Sequence, residues 1–127
     1  GHAYGGEPYI SSWQKLSAEG QADYMGAGVC LKRILDKLNL TTYKLKPTPY
    51  MESRCSDSVC LHSLTGGQSL GNLLSAVKNE KRPDYETPDT SVVETTELSY
   101  PKTVQCRLDT YMAGTLNEDR PSCWFRN

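Results

Sequence analysis

Histidine is nearly missing from this chain, with two residues in 127, and phenylalanine is rarer still, with one. So little imidazole leaves few groups able to take a proton at neutral pH, and one of the two, His2, stands beside Gly1 in what reads as the remnant of a cleaved tag. His62 is then the single histidine on which acid or base chemistry can be built. Long apolar runs are missing too: no segment approaches the roughly 20 apolar residues that a membrane-spanning helix needs. Charge of one sign is not in excess, since 14 Lys and Arg face 15 Asp and Glu, with the signs interspersed. That excludes the basic patch with which nucleic-acid binders displace counterions. No spacing matches a phosphate loop, a zinc ribbon or a nucleophile signature, and there is no internal repeat. Hydrophobic residues make up 37% of the chain, below the roughly 45–50% of ordinary domains, a count that includes Gly. A modest core helped by cross-links is the expectation.

What the chain has instead is cysteine. Cys30, Cys55, Cys60, Cys106 and Cys123 are five, an odd number, so complete internal pairing leaves one thiol free or bridged to another chain. Bridges persist in oxidising compartments, which points to a secreted or periplasmic protein, as a monomer or a disulfide-linked dimer. The length suits one domain, read as an N-terminal arm over residues 1–12 and a single domain over 13–127. Asn39-Leu40-Thr41 forms an acceptor triplet for N-glycosylation.

Periodicity places the cysteines on elements. Tyr24, Ala27, Leu31, Ile34, Leu35 and Leu38 recur at three and four, which predicts a long helix that Ser17 could cap and that ends near Asn39. Cys30 falls beside that stripe. Thr41 to Lys46 alternates as a strand does, and Pro47 would end it, with Pro49 extending the break. Residues 51–67 read as a loop stapled by Cys55 and Cys60. Leu70, Leu73, Leu74 and Val77 then predict a short second helix, with Ser69 as its cap. After a proline-punctuated linker, Val92-Val93 begin one extended stretch, and Pro101 separates it from a second in which Val104, Cys106 and Leu108 alternate. Gly114 would turn the chain before Cys123, Trp124 and Phe125 come back. The fold class expected is α+β: one long N-terminal helix and a short second helix against a small antiparallel sheet, stapled by disulfides. Cys106 and Cys123 are the best disulfide pair. Cys55 and Cys60 either bridge each other or share a bridge with Cys30, and Cys30 is the thiol left over.

Three clusters resemble sites. Cys55-x4-Cys60-x-His62 holds three potential zinc ligands, with Cys30 the only fourth in prospect. Against it stands the commoner use of such cysteines as bridges, so no metal and no cofactor are expected. A Cys30 and His62 dyad is conceivable, yet Cys30 sits mid-helix rather than at the helix N-terminus that would activate it. Asp84, Glu86 and Asp89 crowd one stretch without apolar neighbours to desolvate them. No residue is therefore assigned a catalytic role. The aromatics are skewed, with eight Tyr and two Trp. Those types offer apolar area with a polar handle, so Tyr4, Tyr9, Trp13, Tyr85 and Tyr100 are taken as a candidate binding surface.

A long N-terminal helix preceded by Gly5-Gly6, a late hairpin and the Cys106 to Cys123 spacing are similar in outline to the cystatin-type inhibitors, although the Gln-x-Val-x-Gly loop of that family is absent. Arg54-Cys55-Ser56 to Cys60 with Gly66-Gly67 is faintly similar to small secreted fungal killer toxins. The functional expectation rests chiefly on the absence of catalytic groups. The expectation is a protein-binding module, an inhibitor, immunity protein or pathogen effector. The alternatives are a small secreted hydrolase or toxin using His62, and a disulfide-linked subunit of an extracellular assembly.

Overall fold

Three side chains start helices where the sequence suggested loops or strands. In the computed structural model, which describes residues 1–11, 13–38 and 44–127, Thr48 accepts from the Met51 amide at 3.2 Å and opens helix α3, Pro49–Arg54. Asp57 accepts from the Cys60 amide at 2.8 Å and opens α4, Ser58–Lys78. Thr103 accepts from the Cys106 amide at 3.0 Å and opens α5, Val104–Leu116. Each satisfies an amide that the first turn leaves without a backbone partner. Pro49 thus begins a helix rather than prolonging a break, because a first-turn residue needs no amide hydrogen. Asn79 and Asn117 close α4 and α5 in the left-handed conformation that asparagine tolerates.

The N-terminal helical stretch is α1, Glu19–Met25, continued by a π-helix, Gly26–Leu31, and by α2, Lys32–Leu35. Ala18 rather than Ser17 precedes it, and the Ser17 hydroxyl donates to the Gly6 carbonyl at 2.7 Å. A π-helical turn takes in more residues than an α-turn, so the stripe expected at α-helical spacing is rotated partway along. Ala27 and Leu35 are buried while Ile34 and Leu38 are exposed.

The α+β expectation is overturned. Among the described residues there is no strand and no sheet, only an isolated bridge between Tyr9 and Ser17. The stretch read as a half-buried strand is α5, the central helix, which packs against α4, the π-helix and α1. It buries Val104, Leu108, Tyr111 and Thr115 on one side and Cys106, Thr110 and Ala113 on others. Burial on nearly every side erases the amphipathic period of a surface helix and lets an alternating subset pass for a strand. Residues 51–67, expected as a stapled loop, hold most of α3 and the first half of α4, and Ser69 lies inside α4, where its hydroxyl donates to the Thr65 carbonyl. The outline shared with cystatins goes with the sheet. The glycosylation triplet and the start of the expected Thr41–Lys46 strand lie outside the described residues, and Lys44 to Lys46 have no regular structure.

Gly114 does not turn the chain. It lies in α5 at the closest approach to the N-terminal helical stretch, where a Cβ would collide with the Tyr24 carbonyl, and a Cβ on Gly28 would come 2.5 Å from the Gly114 oxygen. The core gathers Ala27, Met51, Leu64, Tyr85, Leu108 and Tyr111. A second cluster is built on Cys106, Cys123 and Trp124. Cys106 bonds to Cys123 and Cys55 to Cys60, leaving Cys30 as a free, half-buried thiol. Residues 80–103 cross the surface without regular structure, and Val93 and Glu97 donate to the carbonyls of Ser122 and Trp124.

Candidate binding cavity and surface

A charged seam joins α5 to α1. The Arg107 guanidinium donates through Nε and Nη2 to the two carboxylate oxygens of Asp23, both at 2.8 Å, and through Nη2 to Glu19, also at 2.8 Å. Arg107 and Asp23 are largely buried, so this is a two-point ion pair at low dielectric. Burial pushes the Asp23 carboxyl up and draws the guanidinium pKa down, while the pairing does the opposite to each; burial prevails at Asp23 and pairing at Arg107. The two-point geometry settles the state of the pair: both groups are charged near neutral pH. His2 belongs to the same seam. Its Nδ1 donates to the Ser17 carbonyl at 2.8 Å and its Nε2 lies 3.0 Å from Glu19, so the residue read as a tag remnant is packed onto the start of α1.

Beside the seam a cavity of about 330 Å³ opens between the N-terminal helical stretch, α4 and α5. Five residues with little or no side chain, Ala22, Gly26, Ala27, Gly66 and Gly67, make room for it, and Leu31 and Leu70 supply its larger apolar walls. Its polar lining is Asp23, Ser63 and Tyr111. Ser63 is spoken for, sharing a 2.8 Å hydrogen bond with Thr115. Tyr111 is different: the residue is 6% exposed, and the proton of its buried hydroxyl has no acceptor among the described residues, since the neighbouring Arg107 guanidinium can only donate. Burial raises its pKa above the ordinary 10.0, and the Asp23 carboxylate adds to the rise. The phenol is therefore a neutral O–H without an acceptor.

The outer face of α4 is apolar and uncovered. This helix packs inward through Cys60, Ser63, Leu64, Gly67, Gly71 and Ser75, mostly small residues, and turns Leu70, Leu73 and Val77 outward. Leu73 is 59% and Val77 76% exposed. The residues whose spacing predicted a short second helix thus lie largely on its solvent face, because small residues allow α5 to approach closely on the other side.

The aromatic surface expected from the sequence divides. Tyr4, Tyr100 and Trp13, the last 96% exposed, stand in solvent, and Tyr9 is half-buried. Tyr85 is a core residue, 2% exposed, whose hydroxyl donates to the Leu64 carbonyl at 2.9 Å. Its proline-flanked segment runs over the core rather than away from it.

The clusters that resembled sites take other roles. The Cys55–Cys60 bond removes both thiolates from any zinc set, and His62 Nδ1 donates to the Ser58 carbonyl at 2.6 Å on α4. Asp89 lies within 4.8 Å of the sulfurs of Cys106 and Cys123, which are bonded to each other and carry no thiolate either. Of the acidic stretch, Asp89 accepts from the Thr103 hydroxyl at 2.7 Å and donates its amide to Asp109, fastening the segment to the start of α5. Asp84 accepts from the Glu86 amide at 2.9 Å in a local turn. The cavity itself was missed. Its only trace in the sequence is the coincidence of small residues, Gly26-Ala27 and Gly66-Gly67, on two predicted segments with no stated reason to meet.

Comparison with protein-family models, with curated protein sequences and with solved structures finds no match to this chain. Geometry alone carries the functional reading.

Proposed function

We propose that the chain is a secreted or periplasmic module, held by two disulfides, that binds a partner protein as an inhibitor, immunity protein or effector. The observation that carries this reading is the outward row Leu70, Leu73 and Val77 on α4. Exposed leucines and valines scattered singly are ordinary, but a row at helical spacing on one rigid element is the form in which apolar surface meets a partner. The two bridges, Cys55–Cys60 and Cys106–Cys123, support an oxidising location. Among the described residues no helix is long and apolar enough to cross a membrane.

The test is capture of a partner from the extracytoplasmic fraction of the source cells with the native chain and with a Leu73→Asp/Val77→Asp variant. Both positions are exposed, so the variant should keep its unfolding temperature and lose the partner. Undiminished capture by the variant would remove α4 from the interface. Loss of capture in His62→Ala together with loss of a hydrolytic activity would replace the binding module with the enzyme.

A further inference from the structure

We infer that the cavity between the π-helix and α4 is a binding site for a small neutral molecule with an apolar body and one hydroxyl group, a phenol or cyclic alcohol in size and character. The volume, about 330 Å³, lies at the lower end of ligand pockets and equals roughly ten waters at about 30 Å³ each, enough for a single ring with short substituents. The walls, Gly26, Ala27, Gly66, Gly67, Leu31 and Leu70, are apolar and select the body of the ligand.

The head group follows from the donors and acceptors at the polar side. Tyr111 offers a buried O–H with no acceptor, a desolvated donor that favours any ligand atom able to accept it. Asp23 uses one lone pair of each carboxylate oxygen on Arg107, and a carboxylate has about four such sites, so it can accept again. A ligand hydroxyl does both: it accepts from Tyr111 and donates to Asp23. An ammonium cannot accept the Tyr111 proton, and a carboxylate would meet the negative charges of Asp23 and Glu19. The π-helix that forms one wall is a conformation that sequences adopt seldom and frequently at functional sites.

The experiment titrates the full chain with p-cresol and with toluene, which share ring and methyl group and differ only in the hydroxyl, while backbone amide resonances are followed. Saturable shifts at Gly66, Gly67 and Tyr111 are expected, with p-cresol bound about tenfold more tightly than toluene, the worth of one buried hydrogen bond. Tyr111→Phe should erase that preference and leave toluene binding unchanged. Gly66→Leu, at a position whose Cβ meets nothing within 4 Å, should fill the cavity and abolish binding of both while the chain stays folded. Absence of saturable shifts, shifts that map elsewhere, equal affinity for the two probes, or p-cresol binding undiminished in Tyr111→Phe would each overturn the inference. Should Tyr111→Phe fail to fold, Gly66→Leu decides alone.

Discussion

Two tyrosines of the core, separated by a few ångströms around Gly67, make opposite contributions. Tyr85 buries a hydroxyl that donates to Leu64, while Tyr111 buries one that donates to nothing among the described residues. Tyr85→Phe should therefore lower stability by about 1 kcal/mol, whereas Tyr111→Phe should leave it unchanged or raise it, as denaturant unfolding of the two variants will show. The pH dependence has a definite sign. Both phenols have folded pKa values raised above the ordinary 10.0, chiefly by burial. Ionisation of either phenol costs no stability below about pH 10, and stability falls as pH rises further toward the raised folded values, because the unfolded chain ionises first. Tyrosinate absorbance should show these two titrating only as the protein unfolds. At Arg107, replacement by Met leaves the Asp23 carboxylate buried without its counter-charge, and the loss expected in thermal unfolding is about 3–5 kcal/mol.

At the scale of elements, the helix crossing at Gly28 and Gly114 governs how closely α5 approaches the N-terminal stretch. A methyl group at Gly114 would occupy the place of the Tyr24 carbonyl. Gly114→Ala should cost about 1–3 kcal/mol by overpacking despite alanine's better helix propensity, a result readable as a lowered melting temperature with helical circular dichroism retained. The same crossing explains what sequence reasoning could see and what it could not. The N-terminal helix was legible through its three-and-four spacing, whereas the Cys106–Cys123 bond is present although the terminal hairpin from which it was expected is a helix and a returning segment. α5 was not legible, since a helix buried on nearly all sides has no polar face to mark its period. α4 misled in a different way: its conspicuous leucines face outward, while Gly67, Gly71 and Ser75 make the contact with the core, and small residues carry little periodic signal. The caps Thr48, Asp57 and Thr103 are the right residue types for helix starts, but they stand beside prolines and cysteines that suggest loops. The exposure of Trp13 and Tyr4 could be read from the sequence, whereas the cavity arises only when Gly26-Ala27 and Gly66-Gly67 are brought together.

For the molecule as a whole, covalent and polar ties fasten both ends to the helical body. The arm is held by Gln21 donating to the Gly5 carbonyl at 2.6 Å and by Ser17 donating to Gly6. The C-terminal segment is held by the Cys106–Cys123 bond, which closes a loop of separation 17 against 5 for Cys55–Cys60. On chain entropy alone the longer loop contributes about 3 kcal/mol and the shorter about 2. Cys106→Ala/Cys123→Ala should therefore lower the melting temperature more than Cys55→Ala/Cys60→Ala, all the more because the former pair is buried against Trp124. A reductant should destabilise the native chain and a chelator should not. The central claim is that the uncovered side of α4 is where this molecule meets its partner. Amide hydrogen exchange of the chain alone and in complex with the captured partner tests it most directly. The account predicts slowed exchange in the second half of α4, around Leu70 to Val77. Slowing confined instead to the arm that carries Tyr4 and Trp13, with α4 exchanging as before, would contradict it.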